Sequence, residues 1–257
     1  MKLITVLFFL FSAIVIAQPE YNFTQIDLPV TPVVSDVYFS AINDLNKVAV
    51  HAKTNNFNNH YIFRWSKMED YSFAYSSPSG TSVSANSINK LGTITAVRYD
   101  GLGDRGLVIE NNNSVSTIPV GSGFGNSYIW DINESNKAVG KSSGDAIVWD
   151  DGTITNLLSN AEAFAINDSG DIAYYSSGNT FVRYNNGTTI QLPVSEWRPS
   201  SINNKREVVG FGIFSSQPLL WSEATGLIQL PELGGFSITN PVAINDSGLI
   251  VGHVRNS

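Results

Sequence analysis

One dipeptide constrains this chain more than any other feature. Ile-Asn recurs six times, as Ile42-Asn43, Ile88-Asn89, Ile132-Asn133, Ile166-Asn167, Ile202-Asn203 and Ile244-Asn245. The spacings are 46, 44, 34, 36 and 42 residues, a period that marks a repeat architecture. An apolar run follows each pair, as in Val48-Ala49-Val50, Ala138-Val139-Gly140 and Val208-Val209-Gly210. A second apolar segment then ends in an aromatic, at Trp65, Trp149, Tyr184 and Trp221. A third closes on an apolar residue before proline, at Ile118-Pro119, Leu192-Pro193 and Leu230-Pro231.

Turn chemistry converts this pattern into strands. The polar stretch after each Ile matches a three-residue hairpin loop, a type I turn followed by one residue in the left-handed region. That last slot holds Asn46, Gly92, Asn136, Gly170, Arg206 and Gly248. Glycine and asparagine tolerate positive φ, so Arg206 is the exception. Asp151-Gly152 and Asn186-Gly187 read as further tight hairpins. Each unit is therefore expected to be four short antiparallel strands, which is one propeller blade. The strand after Ile-Asn is apolar at consecutive positions, so both its faces need cover. The expectation is an all-β propeller of about six four-stranded blades, with a β-sandwich as the alternative. The last unit stops after its second strand. Thr24-Gln25-Ile26-Asp27-Leu28-Pro29 parallels Thr188-Thr189-Ile190-Gln191-Leu192-Pro193, so an N-terminal strand is expected to close the last blade.

The first residues read as an export signal. Met1-Lys2 is basic, Leu3 to Ile16 is apolar, and Ala17 precedes Gln18 at a cleavage site. Residues 1–17 are expected to be removed, which leaves 18–257 as a single repeat-built domain, secreted or periplasmic, with no membrane span after cleavage. The chain has no cysteine, which excludes disulfides, thiolate metal sites and cysteine nucleophiles. Its net charge of −7 argues against nucleic acid as a partner.

The units beginning at Ala41, Ala165 and Ala243 resemble the repeats of bacterial extracellular proteins of the HAF family, named for a His-Ala-Phe motif. Their pattern is similar to Ala-x-x-Ile-Asn-Asp-x-Gly-x-Ile-Val-Gly, then Ala-Phe-Leu-Trp and a Leu-Gly segment. The resemblance covers nearly all of the chain after residue 17. It departs at the naming motif, where this chain has Asp145-Ala146-Ile147-Val148-Trp149 and Gln217-Pro218-Leu219-Leu220-Trp221. It implies export and repeat architecture, and no activity.

Few residues call for chemistry. His51 and His253 share a position in their units, while Val97, Lys141, Tyr175 and Phe211 fill it elsewhere, so a metal site lacks a third ligand. The acids beside the repeated asparagines (Asp44, Glu134, Asp168, Asp246) suggest a calcium rim, but turn chemistry already accounts for them. No catalytic residue, metal or cofactor is expected. Phe124, Trp197 and Phe236 lie in the connections between units, among glycine and serine at Phe124 and Phe236. They are read as three aromatics sharing one rim and facing a ligand. The functional expectation is a monomeric, non-catalytic module binding an extracellular glycan or an envelope protein. The alternatives are an enzyme acting on an extracellular polysaccharide and a purely structural repeat.

Overall fold

The computed structural model describes residues 34–54, 59–120, 125–215, 217–231 and 236–256. The first sheet comprises β1 (Val34–Ile42), β2 (Val48–Thr54), β3 (His60–Ser66) and β4 (Asp70–Ser76). The second holds β5 (Ser82–Ile88), β6 (Ile94–Tyr99), β7 (Arg105–Ile109) and β8 (Val115–Thr117). The third holds β9 (Ser127–Ile132), β10 (Lys137–Ser142), β11 (Asp145–Asp150) and β12 (Thr153–Leu158). In the fourth are β13 (Ala161–Ile166), β14 (Ile172–Ser176), β15 (Asn179–Arg183) and β16 (Thr189–Ser195). The fifth has β17 (Trp197–Ile202), β18 (Val208–Gly212), β19 (Pro218–Ser222) and β20 (Gly226–Gln229). A last sheet contains β21 (Phe236–Ile244) and β22 (Ile250–Asn256).

Strands pair in chain order within every sheet, all antiparallel, so each is a simple meander. Among the described residues there are no helices, and hence none long and apolar enough to cross a membrane. Each sheet lays its first strand across the first three strands of the sheet before it: β5 on β1 to β3, β9 on β5 to β7, β13 on β9 to β11, and so on to β21. The result is a propeller-like array with the first strands innermost. The strand expected to close the last sheet, residues 24–29, and the signal at 1–17 lie outside the described residues.

The core sits between the sheets, as consecutive apolar positions in the second strands require. Ile94, Ala96 and Val97 on β6 are buried, as are Ala138 and Val139 on β10 and Val208 and Val209 on β18. One cluster joins Ala49, Ile62 and Ala74 of the first sheet to Val83, Ala85 and Leu107 of the second. Another joins Val108 and Ile118 to Ile129, Ala138 and Trp149 across the next interface. The apolar residues before proline, Ile118, Leu192 and Leu230, are buried and plug the outer edges.

All six residues in the turn slot have positive φ, from 57° at Asn46 to 83° at Gly92. Arg206 adopts 64° and is anchored there. Its Nε donates to Asp171 Oδ2 at 2.8 Å, and its guanidinium lies 4.1 Å from the centre of the Tyr184 ring. An ion pair and a cation–π contact offset the cost of a left-handed backbone in a residue with a side chain.

Candidate functional site

The inner strands have two ends, built on opposite principles. At the turn end, each of the first five repeated asparagines caps its own hairpin and reaches to the next one. Asn133 Oδ1 accepts the N–H groups of Ser135 and Lys137 at 3.1 and 3.0 Å. Its Nδ2 donates to the backbone carbonyl of Asn167 at 3.0 Å. The same donation runs from Asn43 to Asn89 (2.7 Å), Asn89 to Asn133 (3.2 Å), Asn167 to Asn203 (3.1 Å) and Asn203 to Asn245 (2.9 Å). Asn43 to Asn203 are buried, so each donor needs a partner, and each finds one on the neighbouring sheet.

A second row runs beside this belt. The N–H of Lys90 donates to Glu134 Oε2 at 2.7 Å, and that of Glu134 to Asp168 Oδ1 at 3.0 Å. Asp168 and Asn204 continue it, to Asn204 Oδ1 and Asp246 Oδ1, both at 2.8 Å. Glu134, Asp168 and Asp246 are thus occupied in joining sheets. Among the described residues, no group of three or more His, Cys, Asp or Glu could hold a metal ion.

At the other end the inner strands carry side chains that differ from unit to unit. Five residues before the repeated asparagine stand Tyr38, Ser84, Tyr128, Glu162, Arg198 and Asn240. Their cross-strand partners are His51, Val97, Lys141, Tyr175, Phe211 and His253. Three residues before the asparagine, the inner strand bulges at Ser40, Asn86, Trp130, Phe164, Ser200 and Val242. A bulge adds an unpaired residue and re-aims its side chain.

A cavity of about 410 Å³ opens at this end between the third, fourth and fifth sheets, lined in part by Lys141, Asn160, Glu162, Tyr175, Ser177 and Arg198. Lys141 Nζ lies 3.4 Å from Glu162 Oε2, and Trp130 Nε1 donates to Glu162 Oε1 at 2.9 Å. The Tyr175 hydroxyl donates to Glu196 Oε2 at 2.8 Å, and burial, reinforced by Glu196, raises its pKa. Beside the cavity runs an aromatic stack. Tyr128 and Trp130 are parallel at 5.2 Å, Trp130 and Phe164 follow at 6.3 Å, and the Arg198 guanidinium caps Phe164 at 5.1 Å. Tyr128 is pinned by donation to Asp104 Oδ2 at 2.6 Å, and burial together with that carboxylate pushes its pKa up to about 12.

The three aromatics read as a rim separate here. Trp197 is a correction: it is fully buried at the start of β17, packed with Ala165, Ala173, Val182 and Leu192. A single residue, Glu196, separates β16 from β17, so no loop exists there to carry a rim side chain. Phe124 lies outside the described residues. Phe236 begins β21, and its side chain also lies outside them. His51 stacks on Tyr38 at 4.6 Å with Nδ1 3.2 Å from Ser40 Oγ, and burial with the nearby His60 lowers its pKa to about 4. His253 is exposed at the corresponding place on β22.

The cavity residues escaped the sequence reading, although a signal for them was present. Aligned on the repeated asparagine, the units agree where sheets pack or turns close and disagree at the two bulge-proximal positions that face the inner end. Lys141 and Tyr175 occupy the position that His51 and His253 hold in their own units.

The fold and this inner-end cavity define an all-β, propeller-like repeat protein. Among solved structures, the chain is similar to virginiamycin B lyase from Staphylococcus aureus, with TM-score 0.53 and 9% identity over 82% of this chain and 75% of that one. A catalytically inactive variant of the same lyase with quinupristin matches at TM-score 0.54 and 13% identity, covering 88% and 82%. No family model and no curated protein matches the chain. At such identities the likeness extends to the fold alone.

Proposed function

We propose that this chain is an exported, non-catalytic binding module that takes an extracellular glycan in the cavity at the inner end of its third to fifth sheets. One observation carries the reading: one aromatic ring, Tyr175, and two cations, Lys141 and Arg198, line a single opening half-buried, with the Tyr128–Trp130–Phe164 stack beside it. The volume of about 410 Å³ falls within the range of roughly 300–1,000 Å³ typical of small-molecule sites. Glu162 is held by both Lys141 and Trp130, an arrangement suited to orienting a ligand hydroxyl. The same proposal includes a HAF-type repeat origin, cleavage after Ala17, a monomeric state, and a sixth blade completed by residues 24–29. Envelope proteins are the alternative partner.

A glycan panel against the exported protein tests it, with Tyr175→Ala and Leu91→Ser compared in parallel. Leu91 is exposed on the opposite, turn face. Loss of binding in Tyr175→Ala alone supports the reading, and equal binding by both variants overturns it.

A further inference from the structure

We infer that the glycan this cavity recognises is an acidic one, read through the carboxylate of a uronic-acid unit by Arg198 and Lys141; this rests on the glycan-binding reading above. The first ground is an unspent donor. Arg198 Nε is buried and has no hydrogen-bond partner among the described residues, although its guanidinium is fixed over Phe164. Buried polar groups are nearly always satisfied, so an orphan beside a cavity marks the place of a ligand atom or water. Arginine presents its donors as a rigid fork that matches a carboxylate.

The second ground is local charge. Among the lining residues Lys141 is paired with Glu162, and the nearby Glu196 accepts from the Tyr175 hydroxyl, so Arg198 is the lining cation outside an ion pair among the described residues, on a chain of net charge −7. Long-range repulsion disfavours a dense polyanion, whereas one carboxylate on a mostly neutral, hydroxylated ligand meets both cations locally. At the same end of the inner strands, outside the cavity lining, Ser200 Oγ on β17 and Asn240 Oδ1 on β21 are also buried without partners among the described residues.

The test is calorimetric titration of the full exported chain with a trisaccharide carrying a single terminal uronic acid, with its methyl ester, and with a glutamate pentapeptide. The acid should bind and the ester should bind roughly 10- to 100-fold more weakly, the worth of a charge-assisted hydrogen bond. Arg198→Gln should erase the difference between acid and ester, and Arg198→Lys should restore part of it, with thermal melts confirming that each variant is folded. Equal binding of acid and ester, abolished by Tyr175→Ala, overturns the acidic ligand and leaves the cavity reading intact. Acid binding untouched by Arg198→Gln and Tyr175→Ala overturns both. Binding of the peptide and not the sugar, or of none of the three, overturns the uronic-acid proposal.

Discussion

The two ends of the inner strands differ in how they use polar atoms. At the turn end Asn43, Asn89, Asn133, Asn167 and Asn203 each spend a carboxamide on their own hairpin and on the next sheet. At the cavity end Arg198 Nε, Ser200 Oγ and Asn240 Oδ1 are buried and have no hydrogen-bond partner among the described residues. One end is therefore repeated because every unit must solve the same joining problem. The other end varies because its contacts between sheets, such as Trp130 to Glu162 and Tyr128 to Asp104, are made by different residues at each interface. This is the division expected of a repeat scaffold carrying a site, where a rigid frame positions side chains it does not need.

The sharpest way to break the comparison is to damage the belt. Asn167→Asp keeps the acceptor that closes the turn, but it turns the donor to Asn203 into an oxygen facing a carbonyl and the Asp171 carboxylate. An unpaired buried charge costs about 3–5 kcal/mol. Urea unfolding should show that loss, and a change below about 1 kcal/mol would mean the belt carries little of the stability. Trp197→Ala should cost a similar amount, about 3–5 kcal/mol for a buried tryptophan. That result would separate Trp197 from the ligand-facing side chains near it on β17.

Arg206→Ala is expected to cost less, about 1–3 kcal/mol, because Asp171 keeps bonds from Asn185 N–H and Asn167 Nδ2. Burial alone would raise the Asp171 pKa, but the bond from Arg206 and those two others bring it below the ordinary value. A carboxylate with a depressed folded pKa adds stability above its unfolded pKa and loses it as pH falls through the folded one. The variant should therefore lose less stability than the parent between neutral pH and acid. Parallel pH profiles for the two would show that Asp171 is not the linked group.

His51 should show the same dependence in a different window. Its folded pKa of about 4 lies below the ordinary histidine value of 6.5, so the folded state excludes a proton that the unfolded chain takes up. Stability should be full above about pH 6.5 and fall as pH drops towards 4. His51→Gln should flatten that part of the profile, as followed by thermal melts across the range. A slope unchanged by the substitution would assign it to other groups.

These contrasts also explain what was legible in the sequence. The hairpins were, because positive φ and Asx chemistry leave a residue signature at Asn46, Gly92 and Asn136 that no tertiary contact has to supply. The four-stranded unit was, because burial on both faces forces the consecutive apolar run in β10 and β18. The belt was half visible: turn chemistry explains Asn Oδ1, but only the stacking of sheets gives Nδ2 its partner. Trp197 is legible as core only through its offset from the repeated asparagine, because its immediate neighbours Glu196 and Arg198 are polar. It stands six residues before Asn203, as Val83, Ser127 and Ala161 stand before theirs, and all of these are buried. The cavity depends on which variable residues meet across three sheets, so Lys141, Glu162 and Arg198 carry no mark that a single unit could reveal.

The smallest expected effect is also the one that most sharpens the comparison. Lys141→Met removes the ion pair with Glu162, whose carboxylate retains the bond from Trp130. The side chains of the pair are 33% and 17% exposed, so solvent screens much of the attraction. Such pairs contribute about 0–1 kcal/mol, and methionine preserves the apolar stem. Unfolding by urea should therefore move by less than about 1 kcal/mol, against the several lost on Asn167→Asp. If the cavity end is spare to the fold, the same substitution should still weaken the binding of an acidic sugar while leaving a neutral one alone. A loss of stability comparable to that of the belt variant would instead make Lys141 part of the frame, and the distinction between the two ends would fail.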